Sequence, residues 1–185
     1  AVRLEAQQSK INPHFLFNAL SSIADLTVSD GKSAEPAILS LANLYRYILT
    51  SSDKTLVPLD EELHVVRQYL SLEQLRFGAK LNFRVTTAGE TGQVMLPGLL
   101  IQPLAENAVR HGVAPKLGVG TVLVHAQVNG ETCCITVHDD GDGTKHASSG
   151  LGFGLRSVQE RLTLVYGAHY SFAISRSDGY RVEIE

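Results

Sequence analysis

Thr121-Val122-Leu123-Val124-His125-Ala126-Gln127-Val128-Asn129-Gly130-Glu131-Thr132-Cys133-Cys134-Ile135-Thr136-Val137-His138 alternates apolar and polar residues on both sides of Asn129-Gly130. Asn-Gly between two such runs signals a tight hairpin, because both central residues of a type I′ turn need positive φ. The stretch therefore predicts two antiparallel strands, at 121–128 and 132–138, with one face buried. Cys133 and Cys134 lie in the second. Strand neighbours point to opposite faces, so no disulfide joins them, and no cysteine–histidine spacing suggests zinc. A reducing, cytoplasmic setting is expected.

Working outward, Asp139-Asp140-Gly141-Asp142-Gly143 follows the second strand directly. A carboxylate at a strand end can accept a hydrogen bond from an exocyclic amine, while glycines let a flat ring approach the backbone. An acidic surface turn would look the same; a calcium loop would need a terminal Glu that is missing. Next, Gly150-Leu151-Gly152-Phe153-Gly154-Leu155 runs into a helix carrying Leu155, Val158, Leu162 and Val165 and stopped by Gly167. Glycines before a helix N-terminus expose N–H groups that can hold phosphate. Alone the triplet is weak, and no parallel βαβ unit supports a dinucleotide fold. Two further strands, 170–175 and 180–185, turn through Ser177-Asp178-Gly179.

Upstream, a helix starting between Pro97 and Pro103 and ending at Gly112 carries Glu106-Asn107-Ala108-Val109-Arg110-His111-Gly112. Asn107 and His111, like Glu106 and Arg110, are four residues apart and share helix edges. An amide oxygen beside a carboxylate suits Mg²⁺, which keeps waters and bridges to phosphates; a solvated face with an ion pair reads equally well. Leu81, Phe83 and Val85 alternate as a strand. Before it, Asp60 is expected to cap a helix with Glu61 and Glu62 in its first turn, a stripe of Leu63, Val66 and Leu70, and an end at Gly78. The predicted fold is thus α+β, a sandwich of a mostly antiparallel sheet with helices on one face.

At the N-terminus, periodicity from about residue 2 to 27 gathers Phe15, Leu16, Ala19, Leu20, Ile23 and Leu26 on one side of a helix. His14 falls opposite, in a polar stripe with Gln7, Asn18, Ser21 and Asp25. After a break at Ser29-Asp30-Gly31, a second helix is expected beyond Pro36, with Ile38, Leu41, Leu44, Tyr45 and Ile48 aligned. The pair forms an antiparallel hairpin that cannot bury both stripes alone. Dimerisation into a four-helix bundle or packing on the following domain would each cover them. The division expected is 1–56 for the hairpin and 57–185 for the sandwich. With 185 residues, 44% hydrophobic and a net charge of −3, the chain can form a real core, and nothing favours nucleic acid or an anionic membrane surface. No run is apolar enough to span a bilayer. The chain reads as a cytoplasmic piece of something longer, so any membrane anchor would belong to a sensor region outside it.

The order of these motifs is more specific than any one of them. An Asn-bearing helix, then a strand ending Asp-x-Gly-x-Gly, then Gly-x-Gly-x-Gly opening a helix, resembles the N, G1 and G2 boxes of the GHKL ATPases. Adding Asn12-Pro13-His14-Phe15-Leu16-Phe17-Asn18 makes nearly the whole chain resemble the cytoplasmic catalytic region of a LytS-type sensor histidine kinase. Further matching stretches are Tyr69-Leu70-Ser71-Leu72-Glu73-Gln74-Leu75-Arg76-Phe77, Gln102-Pro103-Leu104-Ala105-Glu106-Asn107 and Arg156-Ser157-Val158-Gln159-Glu160-Arg161-Leu162.

The resemblance implies ATP and Mg²⁺ as cofactors, a homodimer, and a response regulator receiver domain as partner. His14 would be the phosphoacceptor and Asn107 the Mg²⁺ ligand, with Glu106 ordering a metal water or the γ-phosphate. Arg110 and His111 would lie near the phosphates. Asp139 would recognise the adenine amine in a pocket shaped by Gly141 and Gly143. Gly150, Gly152 and Gly154, followed by Leu155, would form the hinge and phosphate cradle of a lid. Asn18, one turn from His14, would orient a water for dephosphorylating the regulator, or would only make a polar contact. Two departures stand out. Asp140 replaces the usual Asn and is expected to disfavour the triphosphate or metal ordering, and the segment 144–149 is short and polar, leaving few lid residues to cover a nucleotide. Phe15, besides, occupies the position where many histidine kinases carry an acidic residue. The first of these motivates an alternative, a degenerate nucleotide-binding module that signals as a dimeric scaffold. A GHKL ATPase of the chaperone or DNA-repair kind would leave His14 without a role.

Overall fold

A computed structural model describes residues 13–51, 55–141, 153–176 and 179–185. Two helices, α1 (Pro13–Ser29) and α2 (Gly31–Ser51), form the expected hairpin. Contrary to expectation, α2 begins five residues before Pro36 and includes it. Pro36 stands in the second turn, where it has no N–H for the Lys32 carbonyl, and the helix runs through it. Phe15, Ala19 and Ile23 of α1 and Leu41, Leu44 and Ile48 of α2 are buried, against each other and against α3 (Leu59–Phe77). A second stripe stays exposed, with Phe17 at 69%, Leu20 at 48%, Leu39 at 56% and Leu49 at 58%.

A short ribbon that periodicity did not announce pairs β1 (Val57–Pro58) with β3 (Met95–Leu96), antiparallel. It frames the start of α3, whose N-cap is Pro58; Asp60 lies inside the first turn and caps nothing. The helix ends at Gly78, where φ is +56° and the N–H bonds the Gln74 carbonyl, a turn glycine makes without strain. Then come β2 (Leu81–Ala88) and α4 (Gln102–Asn107), whose last turn continues as a π-helical turn through Ala108–Val113. The Ala114 N–H reaching the Val109 carbonyl at 2.8 Å is its i→i+5 bond.

The hairpin read from Asn129-Gly130 is present as β4 (Gly120–Asn129) and β5 (Thr132–Asp139), paired Val128 with Cys133 and Val124 with Val137. Helix α5 (Phe153–Tyr166) and strands β6 (Phe172–Ser175) and β7 (Tyr180–Ile184) complete the chain; Ser177 and Asp178 of the last turn lie outside the described residues. Sheet order is β2-β4-β5-β7-β6, antiparallel except for the β2–β4 pair. Val122, Val124, Ala126, Ile135, Val137, Val182 and Ile184 face a core closed by α3, α4 and α5; the other face carries Leu123, Gln127 and Arg181 in contact with solvent. Cys133 shares the parity of the core residues and Cys134 does not; both are free thiols. Strand β5 delivers Asp139 to one end of this core, and the π turn of α4 packs beside it.

Candidate active site

The polar end of β5 carries Asp139, the residue expected to meet an adenine amine. Asp139 is 1% exposed. Its Oδ1 accepts the Gly141 N–H at 3.0 Å, while its Oδ2 is buried without a partner among the described residues. Burial pushes this carboxyl up to about 6, against the pull of the Gly141 N–H. A buried carboxylate oxygen with nothing to accept is costly, and a donor from a ligand would relieve it. The walls are tight. A Cβ on Gly112 would stand 2.1 Å from Asp139 Oδ1, and one on Gly141 would stand 2.6 Å from the Gly112 Cα. Backbone therefore lines the cradle where a ring would have to slide in. Gly112 is a site residue that sequence reasoning used only as a helix end; its place one residue after His111 was the available signal.

Helix α4 brings Asn107 to the same region. A Cβ on Gly154, at the start of α5, would lie 3.2 Å from Asn107 Nδ2, so the third glycine of the G2-like stretch abuts the proposed Mg²⁺ ligand. Leu155, next along, is buried in the core and anchors α5. Gly143, Gly150 and Gly152 lie outside the described residues. Arg110 is exposed and His111 half-buried on the π turn; burial, then the Arg110 charge, pushes the His111 imidazole below its usual range. Among the described residues no three His, Cys, Asp or Glu cluster to hold a metal. A cation held by Asn107 would take its remaining ligands from phosphate and water, the habit of Mg²⁺.

Asp140 does not face this cradle alone. Its Oδ1 accepts the Thr121 N–H at 2.8 Å and its Oδ2 pairs with Lys116 Nζ at 3.0 Å. Desolvation raises its pKa, but the Thr121 N–H and Lys116 outweigh it and hold the carboxyl below the usual range. Lys116 also bonds the Asp140 carbonyl at 3.1 Å. The charge expected to repel a triphosphate is thus neutralised by its own neighbour.

The residue expected to accept phosphate lies on α1. His14 is exposed, and the Asn18 amide nitrogen lies 3.2 Å from its Nδ1 and 3.4 Å from its Nε2. The i,i+4 spacing read from the sequence is therefore a contact. Phe15 turns inward, its ring 5.0 Å from Tyr69 and 6.5 Å from Tyr45, and pins α1 to α3. Tyr45 is pushed up to about 12 by burial and by the charge of Glu106. Glu106 likewise raises Tyr69 and Glu73, both already raised by burial. The carboxylate beside Asn107 is thus felt electrostatically by the tyrosines on which Phe15 packs.

Comparisons with known proteins agree with this arrangement. The histidine kinase family model matches residues 2–81, covering the hairpin and α3. Sensor histidine kinase YpdA of Escherichia coli is 36% identical over 173 residues, 89% of this chain and 30% of its own length. Sensor protein LytS of Bacillus cereus is 33% identical over 176 residues, 89% of this chain and 30% of its own length. The chain thus spans under a third of these relatives. In fold it is similar to the histidine kinase domain of the blue-light activated kinase EL346 of Erythrobacter litoralis, with a TM-score of 0.53 at 21% identity, over 98% of this chain and 88% of that one. Among the described residues no helix is long and apolar enough to cross a membrane. With Gly112 and Gly141 packed on Asp139, Gly154 against Asn107 and His14 displayed on the hairpin, the chain belongs to the LytS-type sensor histidine kinases.

Proposed function

We propose that this chain is the kinase core of a two-component sensor: it transfers the γ-phosphoryl group of ATP to His14 and then passes it to an aspartate of a response regulator receiver domain. The observation that supports the reading is Asp139, a buried carboxyl packed through its Oδ1 against Gly112 and Gly141, whose Oδ2 has no partner among the described residues and would accept from an adenine amine. An imidazole nitrogen of His14 forms the N–P bond as the bond from the γ-phosphorus to the bridging oxygen breaks. ADP leaves with the electron pair, and the ring's other nitrogen gives up its proton. Phosphoryl transfer asks chiefly for alignment and charge neutralisation. Asn107 would ligate Mg²⁺, which neutralises phosphate charge when bound; Glu106 would order a water or the γ-phosphate, and Arg110 and His111 would face the phosphates. Gly141 and Gly143 would shape the pocket around Asp139, and Gly150, Gly152 and Gly154 would form the lid hinge and phosphate cradle. No acidic group follows His14, and the proton acceptor for its ring is the open role in the site.

Residues 1–56 would dimerise and display His14, with the exposed Phe17, Leu20, Leu39 and Leu49 as the apolar face for a second copy, and 57–185 would bind ATP. Asn18 would help hydrolyse the phosphorylated regulator, a reading favoured by its contact with His14. The full-length protein's anchoring would come from its sensor region. Incubation with γ-labelled ATP tests the transfer. Acid-labile label on the wild type and none on His14→Gln is the expected result; ATP binding without label on the wild type sinks the kinase reading in favour of a scaffold. For Asn18→Ala, kept labelling with reduced regulator dephosphorylation is expected.

A further inference from the structure

Glu62 has no exposed surface, yet its carboxylate is fully engaged. Its Oε1 accepts the Tyr47 hydroxyl and the Leu99 N–H, the latter at 2.6 Å; its Oε2 accepts the Leu100 and Ile101 N–H groups, both at 2.9 Å. These three N–H groups belong to the residues immediately before α4, where a helix start leaves donors unsatisfied. Helix α4 has no cap from its own N-cap side chain. Glu62, thirty-seven residues upstream of Leu99, supplies it from α3. Leu99 holds a φ of +58°, the one non-glycine among the described residues with positive φ. Such a backbone persists only where its surroundings hold it, and strain of this kind gathers at functional joints.

The segment 98–101 is gripped from two other sides. Arg161 of α5 donates to the Gly98 carbonyl at 2.5 Å. A Cβ on Gly98 would stand 2.8 Å from the carbonyl oxygen of Ser51, the last residue of α2. Tyr47 and Ser51 come from the helix pair that carries His14, Glu62 from α3, and Arg161 from the helix that the G2-like glycines open. All converge on the backbone that starts the helix carrying Glu106 and Asn107.

We propose that Tyr47 and Glu62 are positioning residues for phosphoryl transfer: through the Tyr47–Glu62 bond the hairpin sets the attitude of the helix that presents Asn107 to the nucleotide. This rests on the kinase reading above. Glu62 touches no substrate; it acts by fixing a helix start, and Tyr47 makes that start sense where the hairpin lies. A tilt of α2 that withdrew the phenol would leave the carboxylate underbonded and loosen the turn before α4.

The test compares wild type with Tyr47→Phe, which removes one hydroxyl and keeps the packing, and with Glu62→Gln, which sets an amide NH₂ against N–H donors. Three readouts are taken on each: ATP affinity, His14 labelling rate at saturating ATP per nucleotide-binding site, and amide exchange across 99–107. For Tyr47→Phe, labelling is expected to slow about tenfold with ATP KM within about threefold, since a hydrogen bond to a charged group is lost away from the nucleotide. Exchange at 99–107 is expected to rise about tenfold, as a held segment opens more readily. A merely structural tyrosine would lower the melting temperature while leaving the per-site labelling rate alone, and that result overturns the proposal. An increase in KM with an unchanged maximal rate overturns it too. If Glu62→Gln does not fold, Tyr47→Phe decides. If the wild type itself takes no label, the kinase reading falls, and unchanged exchange in Tyr47→Phe would then remove the joint as well.

Discussion

Two carboxylates are buried in this molecule almost equally, Glu62 at 0% and Asp139 at 1% exposure, yet they serve opposite ends. Burial pushes both upward in pKa. Glu62 is met by four donors; Asp139 is met by one and keeps an oxygen unpartnered. A fully satisfied buried carboxylate is a fixture of the fold, and removing it strands the groups that faced it. An underbonded one is a cost the fold carries until a ligand donates. The contrast predicts opposite signs on mutation. Glu62→Ala leaves three N–H groups and a phenol without their acceptor and should cost about 3–5 kcal/mol of stability in denaturant unfolding. A loss below about 1 kcal/mol would erase the distinction.

Asp139→Asn should do the reverse to the ligand-free chain. The folded carboxyl, at about 6, lies above its ordinary 3.8, so the folded state prefers the proton. The sign follows: this group favours folding below about pH 4 and loses that contribution as pH rises through about 6. At pH 7 the asparagine variant should be more stable by up to about 3 kcal/mol and should lack the wild type's decline between pH 4 and 6. ATP binding should weaken about 10–100-fold for the loss of a charge-assisted hydrogen bond, and in the wild type should weaken as pH falls below about 6. Gly112→Ala should weaken ATP binding about as much, since its methyl would stand 2.1 Å from Asp139 Oδ1 and must displace it. Fluorescent-nucleotide titration and thermal scans across pH read all of this. A Gly112→Ala chain binding ATP normally would mean that the cradle is not the adenine pocket.

Only one of these two carboxylates was legible beforehand. Asp139 announces itself by ending an alternating strand before glycines, a local pattern. Glu62 stands in Leu59-Asp60-Glu61-Glu62-Leu63, which reads as acidic residues in a helix's first turn, and its acceptor role depends on backbone thirty-seven residues away. The same division runs through the fold. The Asn129-Gly130 hairpin, the stop at Gly78 and the α5 stripe come from periodicity and turn chemistry, and the structure has them where expected. The β1–β3 ribbon, two residues per strand, is too short to carry a period. The early start of α2 was hidden by Pro36, read as a boundary although the helix runs through it. The hairpin's stripe was visible, but its division between α3 and solvent was not: Leu20 and Ile38 share it with Phe15 and Leu41 by periodicity, yet they are 48% and 50% exposed, because which edge of a stripe is covered depends on tertiary packing.

Asp140 supplies the smallest effect and the sharpest check on the reading of charge near the nucleotide. By sequence it is a surplus negative charge beside the triphosphate. In the structure its oxygens are occupied by Lys116 and the Thr121 N–H, and the pair is partly exposed, with side chains at 33% and 39%. Exposed pairs of this kind contribute roughly 0.2–1 kcal/mol, and solvent screens what remains. Asp140→Asn, which restores the residue usual in the family, should therefore change stability by under about 1 kcal/mol and ATP affinity by under about threefold at moderate salt. Lys116→Ala is the complementary variant. Freed of its partner, the Asp140 carboxylate should then oppose the triphosphate, and ATP affinity should fall more in Lys116→Ala than in the double variant with Asp140→Asn. Equal affinities for the single and double variants would mean that Asp140 never faces the phosphates, whichever side chain neutralises it.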